Sequence, residues 1–278
     1  MPDAGRLRVC ATPIGNLGDV TLRVLDALRE ADVIEAEDTR VTRRLLARYD
    51  IHTRIERYDE ATAAERTPLV VARVQAGETV ALTSDAGMPG ISDPGARLVD
   101  ACIDAGLAVD VLPGPSAVPA ALVASGLPTR AFFFGGFLPR KEGERRRLLA
   151  SLASLEATLV FYESPRRAAA SARSLAEAFP ARRAAMVREL TKVHEEVLRG
   201  TTGELASALG SRELQGELVL LVGPPVPCEQ PSVDDDALRA AVDRYVEEGL
   251  SRKDAVKRVA EERGLPRQRV YSAAHRVS

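Results

Sequence analysis

Tryptophan is absent from this chain of 278 residues, and the aromatic fraction is only 4%. Val, Leu and Ala must therefore supply most of any core. Cysteine is scarce as well, because the three thiols at positions 10, 102 and 228 stand far apart. An odd number of widely spaced cysteines indicates neither a disulfide framework nor a metal-ligand cluster. We therefore expect no bound metal and a reducing compartment.

Long hydrophobic runs are also missing. No apolar stretch approaches the roughly 20 residues that a membrane-spanning helix needs, and residues 1–8 lack the apolar core of a signal peptide. We expect no membrane span and a cytoplasmic protein. The net charge is only −2, which argues against a wholly basic nucleic-acid binder but leaves room for local basic patches.

The chain does contain two successive α/β patterns. Short β-prone runs such as Leu7 to Ala11 alternate with helical stretches such as Thr21 to Glu30, which is typical of a sheet with parallel neighbours. The pattern restarts at Phe132. We predict an α/β fold with two domains, residues 1–128 and 129–224. A cleft between them would be a common place for a ligand.

Composition changes after the second pattern. Four prolines and three consecutive aspartates between Gly223 and Asp236 predict a linker over residues 225–235, and helical patterns follow over residues 236–278. From Ser251 onward, eight basic residues oppose three acids, and Gly264 marks a turn before the last helix. This pattern resembles a helix-turn-helix module. We predict that it binds RNA through basic residues that include Arg252, Lys253, Arg267 and Arg269.

Three glycine- or proline-rich loops follow predicted strands of the first domain. They are ATPIGNLGD at residues 11–19, SDAGMPGISDPG at 84–95 and PGPSA at 113–117. Ligands of open α/β sheets bind beyond the carboxyl ends of the strands, so we expect the loops to converge on one site. Each loop could instead be only a tight turn, with Ser116 capping the next helix.

Together these loops resemble the tetrapyrrole methylase superfamily, whose members bind S-adenosylmethionine between two α/β domains. The strings TPIGNLGD, EDTR, SDAG, FYESPRR and RELTKVHEE are similar to one branch in particular. That branch 2′-O-methylates a cytidine of 16S ribosomal RNA. The resemblance spans nearly the whole chain and implies a homodimer that needs no metal. Met88 and Gly90 depart from the Thr and Leu of the family pattern, which predicts altered affinity rather than lost function.

The resemblance also implies a methyl-donor site. Its members come from the three loops, from the strand that ends in FYES and from the RELTK string of the second domain. The residues implied are Pro13, Gly15, Asp85, Gly87, Met88, Ser116, Ala117, Tyr162 and Leu190.

Methyl transfer from a sulfonium requires an aligned nucleophile, and a ribose hydroxyl needs help to lose its proton. We place the acceptor beside the strings EDTR and RELTK, with Glu189 or Asp38 as the base. We expect Arg40, Arg188 and Lys192 to position the phosphate or ribose, because basic side chains fix the RNA backbone. The alternatives are structural: Asp38 could cap a helix, Arg40 could pair with Glu37, and Glu189 with Lys192 could be an ordinary ion pair.

A second basic run opens a predicted helix of the second domain. We predict that Arg140, Lys141 and Arg145 form a phosphate track, although such a run is often only a solvated helix face. Tyr58, Phe137 and Tyr162 could stack a splayed base or could belong to the core.

Two other functions remain open from the residues. Other branches of the superfamily methylate carbon atoms of a tetrapyrrole, but the basic tail and the EDTR string suit RNA better than a polycarboxylate macrocycle. A non-catalytic RNA-binding protein would explain the basic patches but leaves the three loops without a purpose.

Overall fold

A computed structural model describes residues 5–225 and 234–275. The chain divides into two compact units, residues 1–225 and 226–278. A short 3₁₀ turn covers Leu17–Asp19. The other elements, in order, are β1 (Arg6–Cys10), α1 (Leu22–Glu30), β2 (Val33–Ala36), α2 (Thr39–Arg48), β3 (Ile55–Arg57), α3 (Ala63–Gln75), β4 (Thr79–Thr83), α4 (Gly95–Asp104), β5 (Ala108–Leu112), α5 (Ala117–Ser125), β6 (Phe132–Phe137), α6 (Glu142–Ser151), β7 (Thr158–Glu163), α7 (Pro165–Ala178), β8 (Arg183–Arg188), β9 (Glu196–Thr201), α8 (Thr202–Gly210), β10 (Leu218–Val222), α9 (Asp235–Glu247), α10 (Arg252–Arg263) and α11 (Arg267–His275).

The first sheet is entirely parallel, as the sequence predicts. Its strand order is β3-β2-β4-β1-β5. Strand β2 is buried along its whole length because helices cover both faces of the sheet. One face packs on α1 and α2, and the other packs on α3 and α4. Because all five strands are parallel, their carboxyl ends meet at one edge of the sheet.

The second sheet is mixed, which the repeated α/β pattern does not reveal. Its order is β6-β7-β10-β8-β9, and only β6 and β7 are parallel. Strand β10 lies antiparallel between β7 and β8, and β8 pairs antiparallel with β9. The short connection between β8 and β9 allows that antiparallel pair without a crossover helix. Helices α6, α7 and α8 cover one face of this sheet, and α5 covers the other.

The two sheets and their helices lie in one compact unit, residues 1–225. The predicted boundary at residue 128 falls between α5 and β6, where one sheet pattern ends and the next begins. The domain boundary at residue 128 stays a prediction. Most of the predicted linker, residues 226–233, lies outside the described residues, together with Cys228 and Arg276.

Two of the three cysteines are small core residues. Cys10 and Cys102 are buried and free. Burial raises the pKa of the Cys10 thiol to about 12, so the reactive thiolate is not accessible near neutral pH. Across residues 5–225 and 234–275, no helix is long and apolar enough to cross a membrane. The same ranges contain no cluster of His, Cys, Asp and Glu suited to a metal ion.

One predicted RNA contact is wrong. Arg145 is only 6% exposed, because α6 turns it toward α7 and the core. Its Nε donates to Ser174 Oγ at 2.9 Å, and its Nη1 donates to the carbonyl oxygens of Pro139 at 3.2 Å and Arg140 at 3.4 Å. These bonds satisfy a buried guanidinium, which then has no free face for a phosphate.

A buried ion-pair network ties α3 to the first sheet. The Glu35 side chain is fully buried on β2, and Arg66 Nη2 contacts both Glu35 Oε1 and Glu56 Oε2. Removing one partner leaves an uncompensated buried charge. We expect Arg66→Ala to lower the free energy of unfolding by about 3–5 kcal/mol in urea titrations.

The matched control for Arg66 is Arg54. Its guanidinium also binds Glu56, at 2.6 Å, but is 70% exposed. Arg54→Ala should cost no more than about 1 kcal/mol, because an exposed pair is screened by water. Equal losses of unfolding free energy in the two variants would show that the burial of Glu35 does not determine the loss in Arg66→Ala.

The C-terminal unit is a small three-helix domain with its own core. Leu238 and Val242 of α9 pack with Val259 of α10 and Val270 of α11, and all four are buried. Gly264 ends α10 with φ of +61°, a conformation that favours glycine. The predicted helices and the turn between the last two of them are confirmed.

Candidate active site

Hydrogen bonds join the loops after β1, β2 and β4, whereas the sequence predicts that the loops after β1, β4 and β5 converge. Thr12 and Gly87 exchange backbone hydrogen bonds of 2.8 and 3.0 Å. The backbone N–H of Asp38 donates to Asp85 Oδ1 at 2.9 Å, and that of Asp85 donates to Glu37 Oε2 at 3.1 Å. These bonds fix three loops against one another and form one wall of a cleft.

The cleft has a volume of about 370 Å³ and lies between the loops of the first sheet and the second sheet. This volume falls within the range of roughly 300–1,000 Å³ that is typical of small-molecule sites. Seven of the nine predicted donor-site residues line it: Asp85, Gly87, Met88, Ser116, Ala117, Tyr162 and Leu190.

The other two predicted donor residues lie beside the cleft. Pro13 is buried behind the first loop, and its neighbour Ile14 lines the cleft instead. Gly15 faces the chain that follows β8, where an added Cβ would come within 2.9 Å of the Leu190 carbonyl oxygen and 2.7 Å of Thr191 Oγ1. Gly15 therefore permits the close approach of the two halves of the site rather than contact with the donor.

Ser116 occupies the N-cap position of α5 but does not use its hydroxyl as a cap. The expectation that it caps the helix is therefore wrong in that respect. The hydroxyl lies at the cleft instead, where Ser116 and Ala117 present the start of α5. Backbone N–H groups of a first helical turn have no partners within the helix, so they can bind a polar ligand atom.

The second sheet supplies the opposite wall. Phe137, 55% exposed, meets Tyr162 edge-on with ring centroids 5.6 Å apart. Leu190 is held in the cleft by two residues with left-handed backbones, Glu189 with φ of 51° and Thr191 with φ of 66°. Such conformations cost roughly 1–3 kcal/mol each and cluster at functional sites.

The cleft is acidic. Glu37, Asp85, Asp93, Glu163 and Glu217 line it, although the buried Glu163 carboxylate pairs with Arg167. None of the described lining residues is Lys, Arg or His. Burial raises the pKa of Glu37 above its usual value, although the backbone hydrogen bond from Asp85 opposes that shift. An apolar cleft rimmed by carboxylates suits a ligand that carries positive charge.

Asp38 caps α2, so the structural alternative for this residue is confirmed. Its Oδ1 accepts from the Arg40 backbone N–H at 2.8 Å, and its Oδ2 pairs with Arg40 Nη2 at 2.6 Å. Arg40 thus pairs with Asp38 rather than with Glu37. These hydrogen bonds hold the pKa of the Asp38 carboxyl well below its usual range. A carboxylate of low pKa is a weak proton acceptor.

Glu189 and Lys192 form the ion pair that the sequence left open. Lys192 Nζ lies 2.8 Å from Glu189 Oε1 and 3.2 Å from Glu217 Oε2. Although burial raises the pKa of Glu189, hydrogen bonds from Lys192 and the Glu217 backbone outweigh it and hold the pKa below its usual value. Arg188 is occupied too, with its Nε 3.0 Å from Glu196 Oε2.

The family model for Tetrapyrrole (Corrin/Porphyrin) Methylases matches residues 6–206 of this sequence. The chain belongs to the tetrapyrrole methylase family. The predictions of the fold and of a methyltransferase are confirmed by this match. The matched range covers the first sheet and every strand of the second sheet except β10, and it includes every residue of the first wall of the cleft.

Within the methylase family, the chain is similar to proteins named ribosomal RNA small subunit methyltransferase I. The protein of that name from Halalkalibacterium halodurans is 42% identical over 98% of this chain and 96% of its own length. The one from Mesorhizobium japonicum is 51% identical over 78% of this chain and 75% of its own length. The sequence resemblance to that branch is therefore confirmed.

Solved methylases share the fold at lower identity. Uroporphyrin-III C-methyltransferase from Thermus thermophilus, in complex with S-adenyl homocysteine, aligns with a TM-score of 0.56 at 23% identity. The alignment covers 78% of this chain and 97% of that chain. The likeness shows that the two-sheet unit of this chain has the architecture of the family.

Of the five acidic residues that line the cleft, only Asp85 received a role from the sequence. Glu37 belongs to the EDTR string, but its neighbour Asp38 received the chemical role. Glu217 precedes β10 in a loop that carries no glycine-rich motif, so nothing in the sequence distinguishes it. Only the antiparallel placement of β10 between β7 and β8 brings Glu217 to the cleft.

Proposed function

We propose that this chain transfers the methyl group of S-adenosylmethionine to the ribose 2′-hydroxyl of a cytidine in 16S ribosomal RNA. The observation that carries the proposal is the acidic cleft within a methylase fold. S-adenosylmethionine is a cation at its sulfonium and its ammonium, so carboxylates around the cleft complement it. The RNA acceptor is supported by the names of relatives that align over almost the whole chain.

A tetrapyrrole acceptor fits the cleft less well. Precursors of corrins and porphyrins carry many carboxylates, and a cleft edged by Glu37, Asp85 and Glu217 would repel them. Basic side chains surround the cleft without lining it: Arg40 is 82% exposed, and Lys192 is 29% exposed. That arrangement suits an acceptor whose phosphates stay outside while one ribose reaches in.

The cleft residues divide into those that hold the donor and those that prepare the acceptor. Met88, Ala117, Tyr162 and Leu190 supply apolar contacts, and backbone groups near Gly87 supply polar ones. The donor contributes an electrophilic methyl carbon when it is bound. An in-line attack then needs a ribose oxygen aligned with that carbon in a site that excludes water.

Burial raises the pKa of two described cleft carboxylates, Asp85 and Glu37, and we assign the general base to Glu37. Its raised pKa brings it closer to neutral pH, where a general base is most effective. Glu189 and Asp38, the two bases suggested by the sequence, both have lowered pKa values. We assign them the positioning of Lys192 and Arg40, whose cationic groups would fix the phosphates on either side of the acceptor ribose.

The wider RNA surface includes the basic run at the start of α6. Arg140 and Lys141 are exposed there, unlike Arg145. In the C-terminal unit, Arg252 and Arg267 are 51% and 63% exposed. Arg269 is 43% exposed and pairs with Asp235. Lys253 is exposed as well. A ribosomal RNA substrate also implies that the protein works in the cytoplasm.

The protein is proposed to act as a homodimer. Strand β5 is an edge of the first sheet and presents Val111, which is 56% exposed. An apolar edge strand without a neighbour favours pairing with another chain. We expect sedimentation velocity to show a dimer for the wild type and a larger monomer fraction for Val111→Asp. A wild-type monomer at micromolar concentration would contradict the proposal.

The test of the function is transfer of labelled methyl from S-adenosylmethionine to small ribosomal subunits from cells that lack this enzyme. We expect one labelled cytidine whose 3′ linkage resists alkaline cleavage, because a 2′-O-methyl group removes the attacking hydroxyl. Tight donor binding without incorporation would mean that the acceptor is wrong. Absence of donor binding would refute the assignment of the cleft.

A further inference from the structure

The C-terminal unit contains a groove between α10 and α11 that combines cationic side chains with exposed aromatic rings. Its volume is about 480 Å³. Lys253 and Lys257 lie one turn apart on α10, and Arg267 lies on α11 opposite them. Within residues 234–275, no hydrogen bond or ion pair is found for either lysine, so both ammonium groups are available to an anion.

The aromatic part of the groove is Tyr271. Tyr271 is 54% exposed. The ring stacks on His275, one turn later on α11, with centroids 4.0 Å apart and planes within 19°. That stack fixes the orientation of an exposed ring at the edge of a cationic groove.

The single acid of the groove does not neutralise it. The Asp254 carboxylate accepts a hydrogen bond from the Ser251 hydroxyl, and Ser251 in turn caps α10. Arg267 is held only loosely, since its Nη2 lies 3.9 Å from Glu261 Oε1 and its side chain is 63% exposed. The groove therefore keeps an excess of positive charge beside a flat ring.

We propose that this groove binds an unpaired RNA nucleotide, with the base stacked on Tyr271 and the adjoining phosphates held by Lys253, Lys257 and Arg267. The proposal rests on the proposed RNA substrate and adds the class of RNA that the unit recognises. Bases within a duplex are already stacked and cannot cover an exposed ring. Binding sites for single strands have this composition, because they combine an aromatic ring on which a base stacks with a positively charged groove.

The experiment measures binding of the full-length protein to an oligocytidylate of about ten nucleotides, within the roughly 4–16 that single-strand sites span. A hairpin of similar charge is the duplex probe. Tyr271→Ala should weaken oligocytidylate binding by roughly 5- to 150-fold, the usual effect of losing one stacked base. Tyr271→Phe keeps the ring and should bind like the wild type. Neither change should alter hairpin binding.

Charge is tested with two substitutions on the same helix. Lys257→Ala, within the groove, should reduce the slope of log Kd against log salt by about 0.7, the contribution of one contact to a single strand. Arg263→Ala removes the same charge at the far end of α10, outside the groove, and should leave the slope unchanged. Thermal unfolding of each variant checks that the unit remains folded.

The proposal is overturned if Tyr271→Ala binds oligocytidylate like the wild type, or if the hairpin depends on Tyr271 as strongly. The methylation assay reads the proposed function separately. If Tyr271→Ala binds oligocytidylate like the wild type while the protein still transfers methyl groups, only the proposed role of the groove is refuted. If oligocytidylate binding depends on Tyr271 but no methyl transfer occurs, only the proposed function is refuted.

Discussion

Glu37→Gln should lower the rate of methyl transfer by about 10²- to 10⁴-fold, the usual contribution of a general base. The substitution keeps the shape of the side chain, and the amide oxygen can still accept the hydrogen bond from the Asp85 backbone. Binding of S-adenosylmethionine by calorimetry should change far less than the rate. A single-turnover assay with small ribosomal subunits measures the rate of the chemical step directly.

The pH dependence of the methyl-transfer rate tests whether Glu37 is the base. Transfer requires the Glu37 carboxylate, and burial raises its pKa. The wild-type rate should therefore fall as the pH drops through that raised pKa, above the usual range of a glutamate. Glu37→Gln should remove this acid limb, whereas Glu189→Gln should retain it. An acid limb that survives in Glu37→Gln but disappears in Glu189→Gln would assign the base to Glu189 instead.

Ala117→Trp should abolish donor binding. Ala117 begins α5 at the wall of the cleft, and an indole there would fill much of a volume of about 370 Å³. We expect the Kd for S-adenosylmethionine to rise by roughly 100-fold or more, which corresponds to about 2.7 kcal/mol. Isothermal titration calorimetry measures the change.

The control for Ala117 is Val123 on the same helix. Val123 is 74% exposed and does not line the cleft, so Val123→Trp adds a similar ring in solvent. It should bind the donor like the wild type. Both variants should keep a cooperative thermal transition. Unchanged donor binding in a folded Ala117→Trp variant would place the donor outside the cleft.

Separation of charge explains how one chain could hold reactants of opposite sign. Carboxylates of the cleft lie within reach of a cationic donor, while Arg40 and Lys192 lie at its rim. Each rim cation is paired with an acid, Arg40 with Asp38 and Lys192 with Glu189, which keeps them oriented when no RNA is bound. An incoming phosphate would compete with these acids for the same donors.

The sequence by itself determined the first sheet and the family. Alternating strands and helices predicted parallel neighbours, and the loops after the strands converge because parallel strands share one carboxyl edge. Long polar strings such as EDTR and RELTK identified the branch, since such strings are far more specific than a single glycine. Seven of the nine residues that the resemblance implies for the donor site line the cleft. Local pattern also placed the three C-terminal helices.

Tertiary structure alone decided the chemistry of individual side chains. Arg140 and Arg145 look alike in a basic run, but α6 turns Arg145 into the core, whereas Arg140 precedes the helix and is exposed. Neighbouring carboxyls in the EDTR string differ because Asp38 faces Arg40 and Glu37 faces the cleft. Glu217 reaches the site through an antiparallel strand that no periodicity predicts. Burial, charge partners and the order of strands depend on residues distant in sequence, so a local pattern cannot contain them.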